Sequence, residues 1–158
     1  MEIIKYTEIE PPAAASALFS IAWKDYIDTD TLKNSYPGFQ KWLLENTFKR
    51  LGYDKDILFV LDEIVDTVRP VGFAIIKKSA ENKICTFQIF KEYRHRGYAK
   101  ALMKKCIECL KKDIIISVSE HLLTEFDHIL TSNYFQMYSR KRIYTDEMEY
   151  FFIRKGSS

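Results

Sequence analysis

Residues 83–112 read KICTFQIFKEYRHRGYAKALMKKCIECLKK, and the prediction of the fold starts from this stretch. Its first eight residues form a short, mostly apolar run of β-forming side chains, which favours a buried strand. From Ala99 onward apolar residues recur at steps of three and four, which predicts an amphipathic helix with lysines on its outer side. The inner positions of that helix are Leu102, Met103, Cys106, Cys109 and Leu110. The stretch therefore predicts a strand, a basic loop and a helix, in that order.

The loop itself reads Arg94-His95-Arg96-Gly97-Tyr98-Ala99. It offers no Ser, Thr, Asp or Asn to cap the helix, although the first N–H groups of every helix lack partners within it. Two arginines lie beside those donors, together with a glycine that has no side chain to block approach. This combination predicts a bound anion, and a phosphate fits best.

The same six residues carry a family resemblance. Arg94-x-x-Gly97-x-Ala99 resembles the Gln/Arg-x-x-Gly-x-Gly/Ala signature of the GNAT superfamily of acetyl-CoA-dependent N-acetyltransferases. The residues before it, Ile89-x-x-x-Tyr93, and after it, 101–103, agree with the family as well. The alternative interpretation is an ordinary basic turn between a strand and a helix.

The resemblance implies a binding site for acetyl-CoA. The loop amides and the helix start would hold the pyrophosphate, the end of the preceding strand would contact the pantetheine arm, and a strand N–H would polarise the thioester carbonyl. The residues that it assigns to the cosubstrate are Ile89, Phe90, Arg94, His95, Arg96, Gly97, Tyr98, Ala99 and Lys100.

The rest of the chain predicts an α/β domain of the α+β kind that spans residues 1–158, with 155–158 as a flexible tail. Predicted strands are Glu2–Ile9, Ile57–Leu61, Val71–Lys77, Lys83–Phe90, Ile114–Val118 and Met148–Arg154. Predicted helices are Ala13–Tyr26, a second from Pro37 to about Leu51, the one from Ala99, and Leu122–Ser139; Asp28–Ser35 and Asp62–Pro70 are predicted as a loop and a turn. An antiparallel meander followed by a right-handed crossover to a parallel strand gives a mixed, mostly antiparallel central sheet flanked by helices. This order resembles that of the acetyltransferase fold.

The resemblance also assigns candidate residues to the chemistry. A tyrosine on the helix after the crossover often protonates the departing thiolate in the family, and Tyr138 is the best match because 137–143 resembles Leu-Tyr-x-x-x-Gly-Phe. Tyr134 is the alternative for that role. Glu120, just past the predicted strand 114–118, is the candidate general base, with His121 as its alternative. A water chain would make either base unnecessary.

A zinc site is the rival interpretation of part of this region. Cys106-x-x-Cys109 followed by His121 and His128 has the ligand types of a zinc site, but six residues separate the histidines, where three to five are usual. Both cysteines also lie on the apolar face of the predicted helix, where cysteine acts as a small hydrophobic residue. We therefore predict no metal.

Composition limits the remaining possibilities. With 47% hydrophobic residues, 29% charged residues and a net charge of +2, the 158-residue chain is globular and not strongly basic. The first residues lack the pattern of a signal peptide, no apolar run is long enough for a membrane span, and three cysteines fit a reducing compartment, so a cytoplasmic location is expected.

The expected partners are acetyl-CoA and an acceptor amine, which is a small molecule, a protein amine or an aminoacyl-tRNA. The basic run Arg140-Lys141-Arg142 mildly favours an anionic partner such as tRNA. The alternative function is a non-catalytic module that binds an acyl-CoA. The oligomeric state stays open, a homodimer included.

Overall fold

Seven strands in the described part of the chain form one sheet in the computed structural model, which describes residues 1–24, 38–143 and 147–156. The strands are β1 (Glu2–Lys5), β2 (Lys55–Ile64), β3 (Thr67–Lys77), β4 (Asn82–Ile89), β5 (Ile114–Ser119), β6 (Gln136–Lys141) and β7 (Glu149–Arg154). The helices are α1 (Pro12–Ala22), α2 (Phe39–Trp42), α3 (Tyr98–Leu110) and α4 (Leu123–Ser132). A π-helical turn, Leu43–Thr47, and a 3-10 turn, Phe48–Arg50, continue α2.

The sheet order is β1-β2-β3-β4-β5-β7-β6. Strands β4 and β5 pair in parallel, and the other described pairs of neighbours are antiparallel. The helix α3 connects the two parallel strands, as a crossover between parallel neighbours requires. The predicted mixed, mostly antiparallel sheet flanked by helices is confirmed.

The two parallel strands separate soon after they meet. Their paired residues are Asn82 with Ile114, Lys83 with Ile115 and Ile84 with Ile116. Beyond these three pairs, β4 continues to Ile89 and β5 to Ser119 without pairing to each other. An opening in the middle of the sheet results, and it lies at the carboxyl ends of both strands.

Each face of the sheet carries its own apolar core. On one face, α3 contributes Leu102, Met103 and Cys106, which pack with Ile116 and Val118 of β5. On the other face, residues of α1 and of the turn after α2 pack with Phe59, Phe73 and Phe90. Because side chains alternate along a strand, neighbouring residues of β4 and β5 belong to opposite faces. Strand β4 therefore contributes side chains to both cores.

The predicted turn Asp62–Pro70 is wrong in extent. Strand β2 runs to Ile64 and β3 starts at Thr67, so Val65 and Asp66 alone form the hairpin turn, with φ of 49° and 61°. Positive φ at both central residues is the geometry that best suits the twist of a two-residue hairpin. Pro70 is tolerated within β3 because it faces a register shift at Val60 and Leu61.

The predicted helix Leu122–Ser139 is also wrong beyond its middle. Helix α4 ends at Ser132, Tyr134 turns the chain with φ of 65°, and residues 136–141 form β6. Within the described residues, strand β6 pairs with β7 alone, at the edge of the sheet, and its side chains are mostly exposed. An edge strand with few buried positions lacks the alternation that identifies a strand in a sequence.

Other predicted boundaries shift by a few residues or cannot be compared. The first strand ends at Lys5 rather than Ile9, because residues 6–8 form a 3-10 turn. Four predicted features lie outside the described residues and are not compared. They are the loop Asp28–Ser35, the end of the first helix at Tyr26, the start of the second helix at Pro37, and Ser157–Ser158 in the tail. Among the helices that are described, none combines the length and the apolar character needed to cross a membrane.

Candidate active site

The loop between β4 and α3 presents a row of backbone donors. Within the described residues, none of the six consecutive N–H groups from His95 to Lys100 donates a hydrogen bond, and the first bond of α3 runs from Ala101 N–H to Gly97 O at 3.2 Å. Gly97 lies at the N-cap position and no side chain caps the helix. Free N–H groups at the start of a helix are a favourable site for an anion, so this row can bind one.

The backbone conformation of the loop turns these donors inward. His95 has φ of 65° and Gly97 has φ of 86°, while Arg96 between them has no positive φ. When right-handed and left-handed backbone conformations alternate along a loop, successive N–H groups point into one concavity, which is a known way of binding phosphate. A Cβ built on Gly97 would meet no atom within 4 Å, so the space in front of the glycine is open. The loop therefore fits a diphosphate.

A cavity of about 650 Å³ lies beside the loop, bounded by β4, α3 and α4. Seven of the nine residues that the sequence assigns to acetyl-CoA line it: Ile89, Arg94, His95, Gly97, Tyr98, Ala99 and Lys100. The cavity lies on the α3 face of the sheet, where β4 has separated from β5. Its size suits a ligand of several hundred daltons.

Phe90 and Arg96 do not line the cavity. The Phe90 N–H donates to Val71 O at 2.9 Å and its ring is buried in the core on the opposite face, so its amide belongs to the sheet. Since hydrogen-bonded and open positions alternate in an antiparallel pair, the N–H of Ile89 points away from β3 toward the opening. Of the two residues, Ile89 alone has an amide that faces a ligand there.

The Arg94 side chain joins β4 to α4 at the edge of the cavity. Its Nε donates to Ile89 O at 3.1 Å, and its Nη1 lies 2.9 Å from Glu125 Oε1. The guanidinium is therefore already bound to protein groups on two sides. In an anion site, Arg94 would mainly fix the shape of the loop. Its positive charge would be a smaller contribution to binding.

Tyr98 anchors the start of α3 to the neighbouring strand. Its hydroxyl donates to Asp62 Oδ2 at 2.5 Å, and Asp62 Oδ1 lies 3.4 Å from the N-terminal amine of Met1. The hydrogen bond from Tyr98 is the main cause that lowers the pKa of Asp62. The first turn of α3 is therefore held in place while its N–H groups stay open.

The sequence prediction missed the α4 side of the cavity. Residues of α4 and of the turn after it lie on one helical stripe that faces the cavity: Glu125, Phe126, His128, Ile129, Ser132 and Asn133. Their spacing of three, four and seven residues is a signal that the sequence contains. Polar residues on the inner stripe of a helix indicate that the stripe borders a cavity as well as the core.

The residues predicted to carry the chemistry lie outside the lining of this cavity. Tyr138 is on strand β6 rather than on a helix; its side chain is 52% exposed and its ring contacts Phe151. Tyr134 is 78% exposed. Glu120 is exposed on a 3-10 turn, and His121 Nδ1 lies 2.8 Å from Glu147 Oε2. The helical premise for assigning Tyr138 is removed, since α4 ends six residues earlier.

The structure favours another alignment of the Leu-Tyr-x-x-x-Gly-Phe pattern. The glycine of such a pattern suits a left-handed residue, and the left-handed residue here is Tyr134, followed by the buried Phe135. The pattern then corresponds to Ile129–Phe135, and Leu130 takes the place of the tyrosine. Leu130 is 1% exposed and packs in the core, so this position has no hydroxyl.

The cysteines of the rival zinc motif belong to the core. Cys106 is fully buried on α3, and burial raises the pKa of its thiol far above the usual range. Within the ranges that the structure describes, no group of three or more His, Cys, Asp or Glu side chains is placed to hold a metal ion.

One carboxyl group on the far face of the sheet has no counterpart among the predicted site residues. Glu149, the first residue of β7, is 4% exposed. Burial is the main cause that raises the pKa of this carboxyl group. A single acid directly before the apolar and aromatic run 150–153 is the sequence signal that could have singled it out.

Comparison with known proteins gives a family for the chain. The family model described as acetyltransferase (GNAT) family matches residues 15–129. No curated protein sequence matches the chain.

Solved structures of the same fold cover nearly the whole chain. Arabidopsis thaliana NAA60, in complex with a bisubstrate analogue, superposes with a TM-score of 0.64 at 16% identity and covers 98% of both chains. The PaiA N-acetyltransferase of Thermoplasma acidophilum, in complex with coenzyme A, has a TM-score of 0.61 at 17% identity over 98% of this chain and 99% of its own. A chain of the NatC complex bound to Gag peptide and CoA has a TM-score of 0.65 at 16% identity over 99% and 100%. At these identities the likeness concerns the fold.

Proposed function

The chain belongs to the GNAT family of acetyltransferases, and on that premise we propose that it transfers the acetyl group of acetyl-CoA to an acceptor amine. Both substrates would be bound at the same time, so that the amine attacks the thioester directly. The family membership supports an acyltransferase activity, and the residues of the site support the way in which it would work.

The observation that carries the proposal is the loop 94–99. From His95 to Ala99 its N–H groups have no partners within the described residues, Gly97 leaves open space in front of them, and a cavity of about 650 Å³ continues from the loop along β4. A diphosphate at the loop would direct an attached thioester arm along β4. The arm would end at the opening between β4 and β5.

The residues of the chain would bind and orient the substrates at this opening. Acetyl-CoA supplies an activated acyl group, the thioester. The Ile89 N–H, which points into the opening, would donate to the carbonyl oxygen and stabilise the negative charge that develops there. The α4 stripe would close the cavity beside the arm and exclude water from it.

The chain departs from the family at the position that often protonates the thiolate. Leu130 stands where the pattern has tyrosine, and it cannot donate a proton. In our proposal the thiolate is protonated by solvent or by the proton that the amine loses. The roles predicted for Tyr138 and Glu120 stay predictions, and their positions outside the cavity lining do not support them.

The absence of a hydroxyl at Leu130 also favours one second candidate. A chain that binds acetyl-CoA and does not transfer its acyl group would keep the loop and the cavity and would need no proton donor. This alternative is the non-catalytic acyl-CoA-binding module.

Small amines and protein amines are the two candidate classes of acceptor. The Thermoplasma protein is an N-acetyltransferase by name, and the NatC complex was solved with a peptide. We propose that an amine on a peptide or on a small molecule is the acceptor. An aminoacyl-tRNA has the basic run Arg140-Lys141-Arg142 as its sole support.

Acetyl transfer can be measured with a panel of acceptors that covers both classes. The protein is incubated with acetyl-CoA and a series of peptides and small amines, and the loss of the thioester is followed together with the mass of each amine. Acetylated product that requires the protein supports the enzyme. Saturable binding of acetyl-CoA with no product from any amine supports the binding module.

A further inference from the structure

Glu149 lies at the rim of the opening where the sheet separates. It pairs with Ser119, the last residue of β5, and its Oε2 accepts a hydrogen bond from Ser119 Oγ at 3.0 Å. Strand β5 pairs with β4 up to Ile116, so Ser119 lies three residues beyond the last pair. Three residues beyond that pair on β4 is Phe87, which lines the cosubstrate cavity. Measured along the strands, the Glu149 carboxyl group is therefore at the same height as the part of β4 that borders the cavity.

Glu149 faces the side of the sheet opposite to that cavity. Ile114, Ile116 and Val118 of β5 point into the α3 core, so Ser119 and its partner Glu149 point to the other face. If the thioester arm enters from the α3 face, the second substrate reaches the opening from this other face. Glu149 is then on the side from which the acceptor approaches.

The carboxyl group is buried and only partly satisfied. It is 4% exposed, and its Oε1 has no hydrogen-bond partner within the described residues. A buried carboxylate oxygen without a donor is costly, so native proteins rarely keep one without a reason. An ammonium group of a ligand would supply the missing donor.

We propose that Glu149 binds the ammonium group of the acceptor and takes a proton from it, and that the acceptor is accordingly an alkylamine; this inference rests on the acetyl transfer proposed above. An alkylamine is charged at neutral pH and must lose a proton before it can attack. An arylamine is already neutral and needs no base to remove a proton before it attacks. The structure thereby assigns both a base and a class of acceptor.

The protons and electrons of the step balance. The Glu149 carboxylate takes one proton from the ammonium, and the freed lone pair forms the C–N bond with the thioester carbonyl carbon. The C–S bond breaks with its electron pair on sulfur. The nitrogen loses a second proton, which goes to the sulfur through solvent, and the amide of a primary amine keeps one N–H. Glu149 then returns its proton to water.

Charged groups around Glu149 act on its titration in both directions. Lys83 on β4 lowers its pKa, as does the hydrogen bond from Ser119, whereas Glu147 raises it. Lys141 of β6 is its register partner on the other side. Burial outweighs the lowering effects, and a carboxyl group with a raised pKa is a better base near neutral pH than an ordinary one.

The test compares Glu149→Gln with the unmodified protein on alkylamine acceptors. The acceptors are spermidine, lysine amide and a peptide with a free α-amino group, with p-anisidine as an arylamine. We expect kcat/KM for the alkylamine that the protein accepts to fall by about 100-fold or more, the typical contribution of a general base, while the affinity for acetyl-CoA is unchanged. Glu149→Asp keeps a carboxyl group and is expected to recover part of the loss. Glu63→Gln, the same change at an exposed position of β2, is the matched control.

A second measurement requires no turnover. With CoA present and no acetyl group to transfer, the accepted alkylamine is expected to raise the Tm of the unmodified protein and not that of Glu149→Gln. In addition, the Tm of the unmodified protein relative to the variant is expected to fall as the pH rises above about 4.5, because the folded carboxyl group, with its raised pKa, binds its proton more tightly than the unfolded one.

The outcomes separate this inference from the proposed function. If the unmodified protein acetylates alkylamines and Glu149→Gln does so equally well, the inference is wrong and the transferase stands. Weaker binding of acetyl-CoA by Glu149→Gln would make Glu149 a structural residue and would also overturn the inference, as would preferred transfer to p-anisidine. If the unmodified protein acetylates none of these amines, the proposed function fails and the inference fails with it.

Discussion

Gly97 is the residue on which the proposed anion site depends most. It combines a left-handed φ of 86° with open space where a Cβ would lie, and the unpaired N–H groups of the loop surround it. A side chain at this position would be strained and would also project into the space that a diphosphate needs. The strain and the loss of binding can be separated experimentally, because a second glycine shares the strain alone.

Gly52 is that matched control, with φ of 84° and no atom within 4 Å of a built Cβ. We expect Gly97→Glu and Gly52→Glu each to lower the free energy of unfolding by about 1–2 kcal/mol, the cost of a left-handed conformation for a residue other than glycine. Only Gly97→Glu should weaken acetyl-CoA binding, by about tenfold or more, which corresponds to about 1.4 kcal/mol. Calorimetric titration of both variants measures this. Equal binding by the two would remove the loop from the binding site.

Tyr138 tests the assignment of the proton donor. Its side chain is exposed on the edge strand β6 and lies outside the lining of the cavity. We therefore expect Tyr138→Phe to leave turnover and acetyl-CoA affinity unchanged, measured as initial rates of thioester loss. Loss of a general acid typically lowers the rate by about 100-fold or more, and a decrease of that size would restore the role that the sequence assigns to Tyr138.

At the scale of elements, the contact between β4 and α4 decides the shape of the cavity. Arg94 makes this contact through Ile89 O and Glu125 Oε1, and the pair with Glu125 is partly exposed. A partly exposed ion pair contributes little, whereas the hydrogen bond of a charged group to a half-buried carbonyl contributes more. The two parts can be separated by the choice of substitution at position 94.

Arg94→Leu removes both interactions, while Arg94→Gln keeps a donor for Ile89 O and loses the ion pair. We expect Arg94→Leu to lower the free energy of unfolding by roughly 1.5–3 kcal/mol and Arg94→Gln to lower it by less than half as much. Urea denaturation of both variants checks the order. Glu125→Gln serves as the control for the ion pair alone, and a larger loss there than in Arg94→Leu would contradict this account.

The elements that the sequence predicted well have strong periodicity and deep burial. The strand 83–90 and the helix from Ala99 were predicted within a residue or two, because both have apolar positions at regular spacing. Strand β6 was missed because its side chains are mostly exposed and its chain continues an apolar pattern that resembles a helix. The strands β2 and β3 extend into the predicted turn Asp62–Pro70, where their burial pattern is mostly exposed or intermediate.

The candidate site was predicted to a similar extent and for similar reasons. The loop 94–99 is contiguous in the sequence, so its residues could be identified together. Glu149 and the α4 stripe come to the opening only through the pairing of β5 with β7 and the docking of α4. Residues that long-range contacts bring together leave a weak signal in a single sequence.

For the whole molecule, the separation of β4 from β5 relates the fold to the proposed function. The opening has unpaired loop amides and a cavity on one face and a buried carboxyl group on the other. One substrate on each face would meet within the sheet, where the Ile89 N–H is available. The core on each face fixes the position of the residues on that face, so the loop 94–99 and Glu149 would keep a constant distance from each other.

The measurement that tests the central claim most directly is a calorimetric titration of the unmodified protein with acetyl-CoA, with acetylpantetheine as the matched ligand that lacks the diphosphate. The account predicts saturable binding of one acetyl-CoA per chain and binding of acetylpantetheine that is weaker by about 100-fold or more, since charge-assisted bonds to the loop amides would be lost. No saturable binding of acetyl-CoA, or equal affinity for the two ligands, would contradict the claim that the loop 94–99 binds a diphosphate.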